Sequence, residues 1–259
     1  MLFAAMAPAT AQCPAFLTEA RSLLAAQVLS SALVSAEKCL ATEPLNSHAL
    51  LLKGNLLYLS GRDGDAVEIL EDLVKRDPAN TDARYALGRI YYFIARPDPS
   101  CAQFQAIVAA DPKNYRAWDN LGLALEAAGH IDKAIQAHVR AIALVANDHK
   151  DYDWAHANLA DLLMKQDDNR QAFNLAAEAA QRNPNAARNF FLAGKALTRL
   201  EQWPKSERWL RKAADLDETY PAPHYLLAQL YRRLGNAAQA EQERKIFKEL
   251  QDKAPDKKR

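Results

Sequence analysis

The stretch RDPANTDARYALGRIYY, residues 76–92, joins an Asp-Pro pair and an asparagine to a segment rich in alanine and tyrosine. A related stretch, DPKNYRAWDNLGLAL, occupies residues 111–125, so that its Asp-Pro pair lies 34 residues further along. Prolines that are followed ten residues later by glycine mark the same period, at Pro44 and Gly54, Pro78 and Gly88, Pro112 and Gly122, and, after four additional residues, Pro184 and Gly194. A fixed period of roughly 20 to 50 residues is the sequence signature of a repeat architecture.

The composition indicates helices throughout the chain. Alanine and leucine dominate every segment, glycine occurs only 8 times in 259 residues, and runs of β-branched residues are almost absent. With 49% hydrophobic and 25% charged residues, the chain is typical of a globular protein rather than a disordered one. The formal net charge of +1 supplies no long-range attraction to nucleic acid or to an anionic membrane. No apolar run reaches the roughly 18 residues of a membrane-spanning helix, so we expect no membrane span.

The repeating unit resembles that of the tetratricopeptide repeat (TPR) family, in which about 34 residues form two antiparallel helices, A and B. The best match is AWDNLGLALEAAGHIDKAIQAHVRAI, with Trp118 at position 4, Leu121 and Gly122 at positions 7 and 8, and alanines at positions 20 and 27. The resemblance implies an all-α fold, a right-handed superhelical solenoid of about seven helix pairs. The predicted repeats 1 to 7 are residues 13–46, 47–80, 81–114, 115–148, 153–186, 187–220 and 221–254.

The spacing within each unit has a physical explanation. Small residues recur at positions 8 and 20, where the two helices of a pair approach each other and larger side chains would hold them apart. Proline at position 32 ends helix B, because its ring excludes the preceding residue from the helical region and because it has no N–H to donate. Repeat 4 lacks this proline and is followed by four extra residues, so either its helix B is one turn longer or a loop forms around 147–152.

The two ends of the chain lie outside the repeats. Residues 1–12 are small and apolar and contain an Ala-Thr-Ala sequence at 9–11, which is typical of a signal-peptidase site, but no basic region precedes it. They are either the remnant of a signal peptide or a disordered N-terminus, and an exported, periplasmic location and a cytoplasmic one remain equally open. Residues 255–259 are predicted to be a basic tail that is exposed to solvent.

Two cysteines fall within the first predicted repeat. Cys13 and Cys39 occupy positions 1 and 27, which lie toward the same end of an antiparallel helix pair in the family. They can form a disulfide, which would require an oxidising compartment. Alternatively, Cys39 is a free thiol that replaces the small buried alanine usual at position 27.

Sequence motifs for catalysis are absent. The chain contains no HExxH, no GxSxG, no paired CxxC and no glycine-rich phosphate loop. His149 and His156, with two aspartates between them, lack any recognised metal-ligand spacing, and a polar loop between repeats accounts for them better. The sequence therefore predicts a protein that is not an enzyme and that has no cofactor, no metal and no small-molecule substrate.

The resemblance also locates a candidate binding groove. In the family, helix A residues at positions 2, 5, 6, 9, 12 and 13 line a concave face that holds extended peptides or partner helices. Tyrosine and arginine at such positions often carry interface energy, and asparagine can hydrogen-bond a peptide backbone. The predicted partner-binding residues are Asn55, Tyr58, Tyr85, Arg89, Tyr92, Arg116, Asp119, Asn120, Trp154, Asn158, Asp161 and Lys195.

The function that the resemblance implies is a non-catalytic protein–protein interaction scaffold, which binds a protein or peptide segment in this groove. Some of the groove residues, Tyr85 among them, can instead pack between adjacent A helices. One alternative function is a nucleic-acid-binding helical repeat protein, which basic residues of repeats 6 and 7 favour and nearby acidic residues weaken. Another alternative, a non-catalytic subunit of an enzyme complex, cannot be separated from a scaffold by sequence, because the function of such modules depends on the partner.

Overall fold

A computed structural model of the protein describes residues 12–253, which form fourteen α-helices and no β-strand. The predicted N-terminal segment, apart from Gln12, and the predicted basic tail lie outside the described residues. The helices are α1 (Gln12–Ala25), α2 (Leu29–Thr42), α3 (Ser47–Leu59), α4 (Asp63–Arg76), α5 (Thr81–Phe93), α6 (Pro97–Ala110), α7 (Tyr115–Ala127), α8 (Ile131–Val145), α9 (Trp154–Lys165), α10 (Asn169–Arg182), α11 (Ala187–Arg199), α12 (Trp203–Leu216), α13 (Pro221–Arg233) and α14 (Ala237–Lys253).

The chain divides into two compact units, Met1–Pro112 with α1 to α6 and Lys113–Arg259 with α7 to α14. In each unit the helices pair in sequence order, so that odd-numbered helices are A helices and even-numbered helices are B helices. Within each unit, each A helix also contacts the A helix of the next pair, as α3 does with α5 in the first unit and α9 with α11 in the second. The prediction of an all-α fold built from repeated helix pairs is confirmed.

The recurring Asp-Pro and asparagine provide a helix stop and a helix start. Helix α4 ends at Arg76, before Asp77 and its proline, and α5 begins directly after Asn80. The Asn80 side chain accepts a hydrogen bond from the Ala83 N–H at 2.9 Å. This cap satisfies one of the free N–H groups of the first turn, an interaction that typically contributes about 1 kcal/mol. The same cap begins two further A helices, through Asn46 in α3 and Asn114 in α7.

The turn from each A helix to its B helix needs a residue with a left-handed backbone. Position 15 of every repeat has a positive φ, which lies between 57° and 79°. Glycine adopts this conformation freely, whereas another residue there costs roughly 1 kcal/mol. Three repeats have glycine, at Gly61, Gly129 and Gly235, and four have other residues, at Gln27, Ala95, Asp167 and Glu201. Only the glycines are visible in the sequence as a turn signal.

Repeat 4 ends in a loop. Helix α8 ends at Val145 and is only one residue longer than α10, and turns occupy the chain from Ala146 to the start of α9 at Trp154. Of the two outcomes predicted for the four extra residues, the structure has the loop rather than an added helical turn.

The first helix pair is cross-linked. Cys13 of α1 and Cys39 of α2 form a disulfide, with their Cα atoms 4.2 Å apart, and both side chains are buried. Cys101 is a buried free thiol. The disulfide joins two helices that pack against each other and against α3.

Helices in the described part of the chain are unsuited to crossing a bilayer: none of them is both long and apolar enough to do so.

We expect reduction of the disulfide to loosen the first helix pair. The disulfide closes a loop across 26 residues. It thereby lowers the conformational entropy of the unfolded chain, which stabilises the folded state by about 3 kcal/mol. Amide hydrogen exchange across α1 and α2 should therefore be faster in reduced protein than in oxidised protein, with α9 and α10 unchanged. In a Cys13→Ala, Cys39→Ala control, reductant should have no effect. Equal exchange of oxidised and reduced wild type would show that the bond adds no stability.

Candidate functional site

In the first unit, a partly exposed aromatic surface lies on the A helices. Its members are Tyr58 of α3 and Arg89, Tyr92 and Phe93 of α5, and we call them the aromatic surface. The rings of Tyr58 and Phe93 stack with centroids 6.2 Å apart, and Tyr92 lies edge-on to Phe93 at 5.5 Å. The Arg89 guanidinium is 5.6 Å from the centre of the Phe93 ring. Phe93 is 54% exposed, although aromatic side chains of this size are usually well buried.

The structure brings three predicted residues, Tyr58, Arg89 and Tyr92, into this surface and adds Phe93. Phe93 stands at position 13, one of the positions that line the groove in the family, but it is not among the predicted partner-binding residues. Tyr85 is half-buried and packs edge-on against the core residue Phe104 of α6 at 5.6 Å, so it contributes to the packing of α5 on α6. Asn55 lies half-buried on α3.

In the second unit, a buried polar network surrounds Asp119 of α7. The carboxylate accepts hydrogen bonds from His138 Nδ1 at 2.8 Å, from the Tyr152 hydroxyl at 2.7 Å and from Asn158 Nδ2 at 3.1 Å. Asn158 Oδ1 in turn accepts from the Arg188 guanidinium at 3.0 Å. We call these five residues the Asp119 network. It connects α7, α8, α9, α11 and the loop that follows repeat 4.

The network originates in one unusual core residue. His138 stands at position 24, where repeats 2, 3 and 6 have Leu70, Phe104 and Leu210, and its imidazole is fully buried. A buried polar ring without a hydrogen-bond partner costs free energy, and Asp119 supplies an acceptor for its Nδ1. The Nε2 atom has no partner within the described residues. The four extra residues of the loop place the Tyr152 hydroxyl on the other carboxylate oxygen.

Two predicted partner-binding residues require correction. Asp119 is 2% exposed and Asn158 is 6% exposed, so neither side chain offers a surface that a partner can reach. Asp119, at position 5 of repeat 4, is covered by the loop that follows this repeat, and Asn158, at position 6 of repeat 5, is covered by the next A helix. Their role in the structure is to hold Arg188, whose guanidinium lies 5.5 Å from the centre of the Trp154 ring. Trp154 is 55% exposed, and we call it together with Arg188 the Trp154 surface.

A row of ion pairs continues along the same A helices. Asp161 of α9 lies 3.1 Å from Lys165 and 3.3 Å from Lys195 of α11, and Lys165 also lies 2.8 Å from Glu126 of α7. Burial by itself would raise the pKa of Asp161, but Lys165 and Lys195 outweigh it and hold that pKa below its usual value. The predicted residues Asp161 and Lys195 therefore form an ion pair with each other.

Arg116 and Asn120 lie on α7 beside this region. Arg116 is exposed, and its guanidinium is 5.7 Å from the centre of the Tyr115 ring. The Asn120 side chain donates to the Arg116 backbone carbonyl at 2.8 Å, so part of its hydrogen-bonding capacity is used within its own helix.

Metal-binding geometry is not found in the part of the chain that the structure describes: residues 12–253 contain no group of three or more His, Cys, Asp or Glu side chains placed to hold an ion. His149 packs on the Tyr115 ring with centroids 4.4 Å apart, whereas His156 is fully buried in α9. His156 Nε2 lies 3.1 Å from Glu178 Oε1. Burial lowers the pKa of His156, and the opposing attraction of Glu178 does not restore it.

Comparison with known proteins identifies similar repeats. Two family models, both described as tetratricopeptide repeat, match the chain, one at residues 23–90 and 64–121 and the other at 158–221. Together these segments cover more than half of the chain. A sequence search among curated proteins finds no match.

Several solved structures have a similar fold. A tetratricopeptide repeat protein from Parabacteroides merdae aligns with 95% of this chain and 94% of its own, with a TM-score of 0.73 and 12% identity. PilF from Pseudomonas aeruginosa aligns with 80% of this chain and 93% of its own, with a TM-score of 0.66 and 17% identity. MamA from Desulfovibrio magneticus aligns with 67% and 96%, with a TM-score of 0.59 and 21% identity. At these identities the likeness concerns the fold.

Removing the central carboxylate should destabilise the second unit. Asp119→Ala leaves three donors, two of them on the buried residues His138 and Asn158, without their acceptor, and we expect the free energy of unfolding to fall by about 3 kcal/mol. All four tryptophans lie beyond residue 112, so urea unfolding followed by tryptophan fluorescence reports on this unit. The control Asp132→Ala removes an exposed carboxylate of α8 and should change stability by less than about 0.5 kcal/mol. Similar losses in the two variants would contradict a structural role of the network.

The second unit should lose stability in mild acid. Because burial holds the pKa of His156 below its ordinary value of 6.5, the unfolded chain takes up a proton first as the pH falls. The stability due to neutral His156 is therefore present above pH 6.5 and is lost as the pH drops through the lowered pKa. Tryptophan-monitored urea unfolding between about pH 7.5 and 5 measures this loss.

A His156→Phe variant is the matched control for this pH effect. It places the residue type of Phe190 at the equivalent position 4 and removes the titrating group. Wild type should lose more stability than the variant over the same pH range. Parallel pH profiles of the two proteins would show that His156 does not contribute.

Proposed function

This chain belongs to the tetratricopeptide repeat family, and on that premise we propose that it is a non-catalytic scaffold that binds extended segments of partner proteins along its A helices. Family membership supports a role in protein interaction in general. More specifically, we assign the binding to the aromatic surface of the first unit and to the Trp154 surface of the second.

One observation carries this proposal: each unit exposes an aromatic ring beside an arginine on its A helices. The pairs are Phe93 with Arg89 at 5.6 Å and Trp154 with Arg188 at 5.5 Å. Aromatic residues and arginine are the types that most often dominate the energy of protein interfaces. Phe93 and Trp154 are each more than half exposed, and their burial by a partner would release water from apolar surface.

The two surfaces differ in how firmly they are held. Arg188 is fixed by its hydrogen bond to the buried Asn158, so a partner that contacts Trp154 meets a guanidinium that is already in place. Preorganised groups bind more tightly because less side-chain freedom is lost on association. The aromatic surface has stacked rings and one exposed cation, which suit a segment with apolar side chains and an occasional acidic one.

Nucleic-acid binding is the weaker alternative, because most cations on the A helices of the second unit already have partners. Lys165 and Lys195 pair with carboxylates, and Arg199 donates to the Met164 carbonyl. Phosphate contacts would have to replace these bonds, and a net charge of +1 adds no general attraction.

A displayed library of random peptides, selected on the full chain, tests the proposal. We expect selected peptides to lose at least about tenfold in affinity on Phe93→Ala or on Trp154→Ala, since each change removes the centre of one surface. Fluorescence anisotropy with synthetic copies of the selected peptides measures the affinities.

The matched control for these variants is Val139→Ala, which shortens a side chain exposed on the B helix α8. It should leave the affinities within about twofold of wild type. Selected peptides that bind Phe93→Ala and Trp154→Ala as tightly as wild type would place binding elsewhere. Failure to select any peptide would also count against the proposal.

A further inference from the structure

A second type of surface lies in the second unit, between α11 and α12. It is an open slot of about 210 Å³ lined by Phe190, Arg208, Trp209 and Lys212, and we call it the tryptophan slot. Phe190 stands at position 4 of repeat 6 and Trp209 at position 23, so neither belongs to the groove positions of the A helices. The slot and the proposed partner-binding surfaces can therefore function independently.

Aromatic packing shapes the walls of the slot. The Phe190 and Trp209 rings are tilted by 37° with centroids 5.4 Å apart, and Phe173 of α10 meets Trp209 edge-on at 5.9 Å. Trp209 therefore packs against both Phe173 and Phe190. Both Phe190 and Trp209 are only half-buried, which leaves apolar ring surface open to the slot.

The two cations of the slot lack the partners that neighbouring charges have. Arg211 on the same helix pairs with Glu207 at 3.0 Å, and Glu207 also accepts from the Tyr231 hydroxyl. Within residues 12–253, by contrast, no carboxylate lies within ion-pair distance of Arg208 or Lys212, and both are exposed. The slot thus combines apolar walls with two uncompensated positive charges.

The size of the slot limits what it can hold. Sites for small molecules and cofactors usually occupy roughly 300 to 1,000 Å³, so 210 Å³ suits a single side chain. Arg208 and Lys212 are one helical turn apart, a rise of about 6 Å. In an extended peptide, alternate residues point the same way and are about 6.6 Å apart. Two acidic residues with one residue between them therefore match the spacing of the two cations.

We propose that the tryptophan slot binds a short, extended acidic segment of a partner protein, with an aromatic side chain packed on the exposed ring surface of Phe190 and Trp209 and two carboxylates at Arg208 and Lys212. Aromatic stacking and charge complementarity together define this ligand. A nucleic-acid strand fits less well, because two phosphate contacts would give weak, salt-sensitive binding and the chain as a whole has a charge of only +1.

The probe is a fluorescein-labelled octapeptide in which phenylalanine and two glutamates occupy alternate positions and serine fills the others. We expect saturable binding to the full chain by fluorescence anisotropy, and a loss of at least about tenfold with Arg208→Glu, Lys212→Glu. Both changes are at exposed positions and should preserve the fold, which circular dichroism can verify. A probe with glutamine in place of both glutamates should bind at least about tenfold more weakly.

A charge-matched control separates the slot from general electrostatics. Lys133→Glu, Arg140→Glu reverses two exposed cations on α8, a B helix of the same unit, and should leave affinity within about twofold. Trp209→Leu, with its melting temperature measured in parallel, should weaken binding while both cations remain. Equal affinity of the slot and control variants would overturn the proposal, as would binding of a thymidine decamer but not of the peptide. Absence of saturable binding up to about 1 mM peptide would also overturn it.

Discussion

The close approach of helices A and B at position 8 is the constraint on which the rest of the structure depends. A Cβ atom at Gly54, Gly88, Gly122 or Gly194 would lie 2.6 to 2.9 Å from the side chain at position 24 of its own helix pair. Glycine therefore lets the position 24 side chain lie directly over the backbone of helix A. In repeats 3 and 6 a serine at position 20 adds a hydrogen bond to the glycine carbonyl, from Ser100 at 2.7 Å and from Ser206 at 2.9 Å.

The Asp119 network follows from the same constraint with a different side chain. His138 occupies the space over Gly122 that leucine or phenylalanine fills in other repeats, and its ring nitrogen brings a polar group into the core. Asp119 satisfies that group, and the remaining capacity of the carboxylate is used by Tyr152 and Asn158. The half-buried Arg188 is thus oriented by the histidine that stands in the core two helix pairs earlier. The repeat provides the space over Gly122, and the histidine that fills this space leads, through Asp119 and Asn158, to an Arg188 side chain that is held in place.

The 34-residue period was sufficient to predict the helix pairs, because small residues, asparagine caps and prolines act locally or within one pair. The left-handed residues Gln27, Ala95, Asp167 and Glu201 could not be predicted, since the pairing of two helices imposes that backbone on whatever residue stands there. The position of a residue in the family's groove was also insufficient to predict whether its side chain is exposed. Whether Asp119 is buried depends on a loop 33 residues away, and the resemblance carries no information about that insertion.

The contrast between held and unpaired cations distinguishes two kinds of surface in the second unit. On the A helices, Arg188 and Lys195 are bonded to groups of the protein itself. A ligand that binds there would therefore be recognised by the fixed geometry of these side chains more than by their charge. On α12, Arg208 and Lys212 face solvent without a carboxylate partner in the described chain, so an acidic ligand would gain attraction there with no internal ion pair to break. Because an exposed ion pair is weak in water, the aromatic walls of the slot must supply the larger part of any binding energy, and the cations then select which sequences can use them.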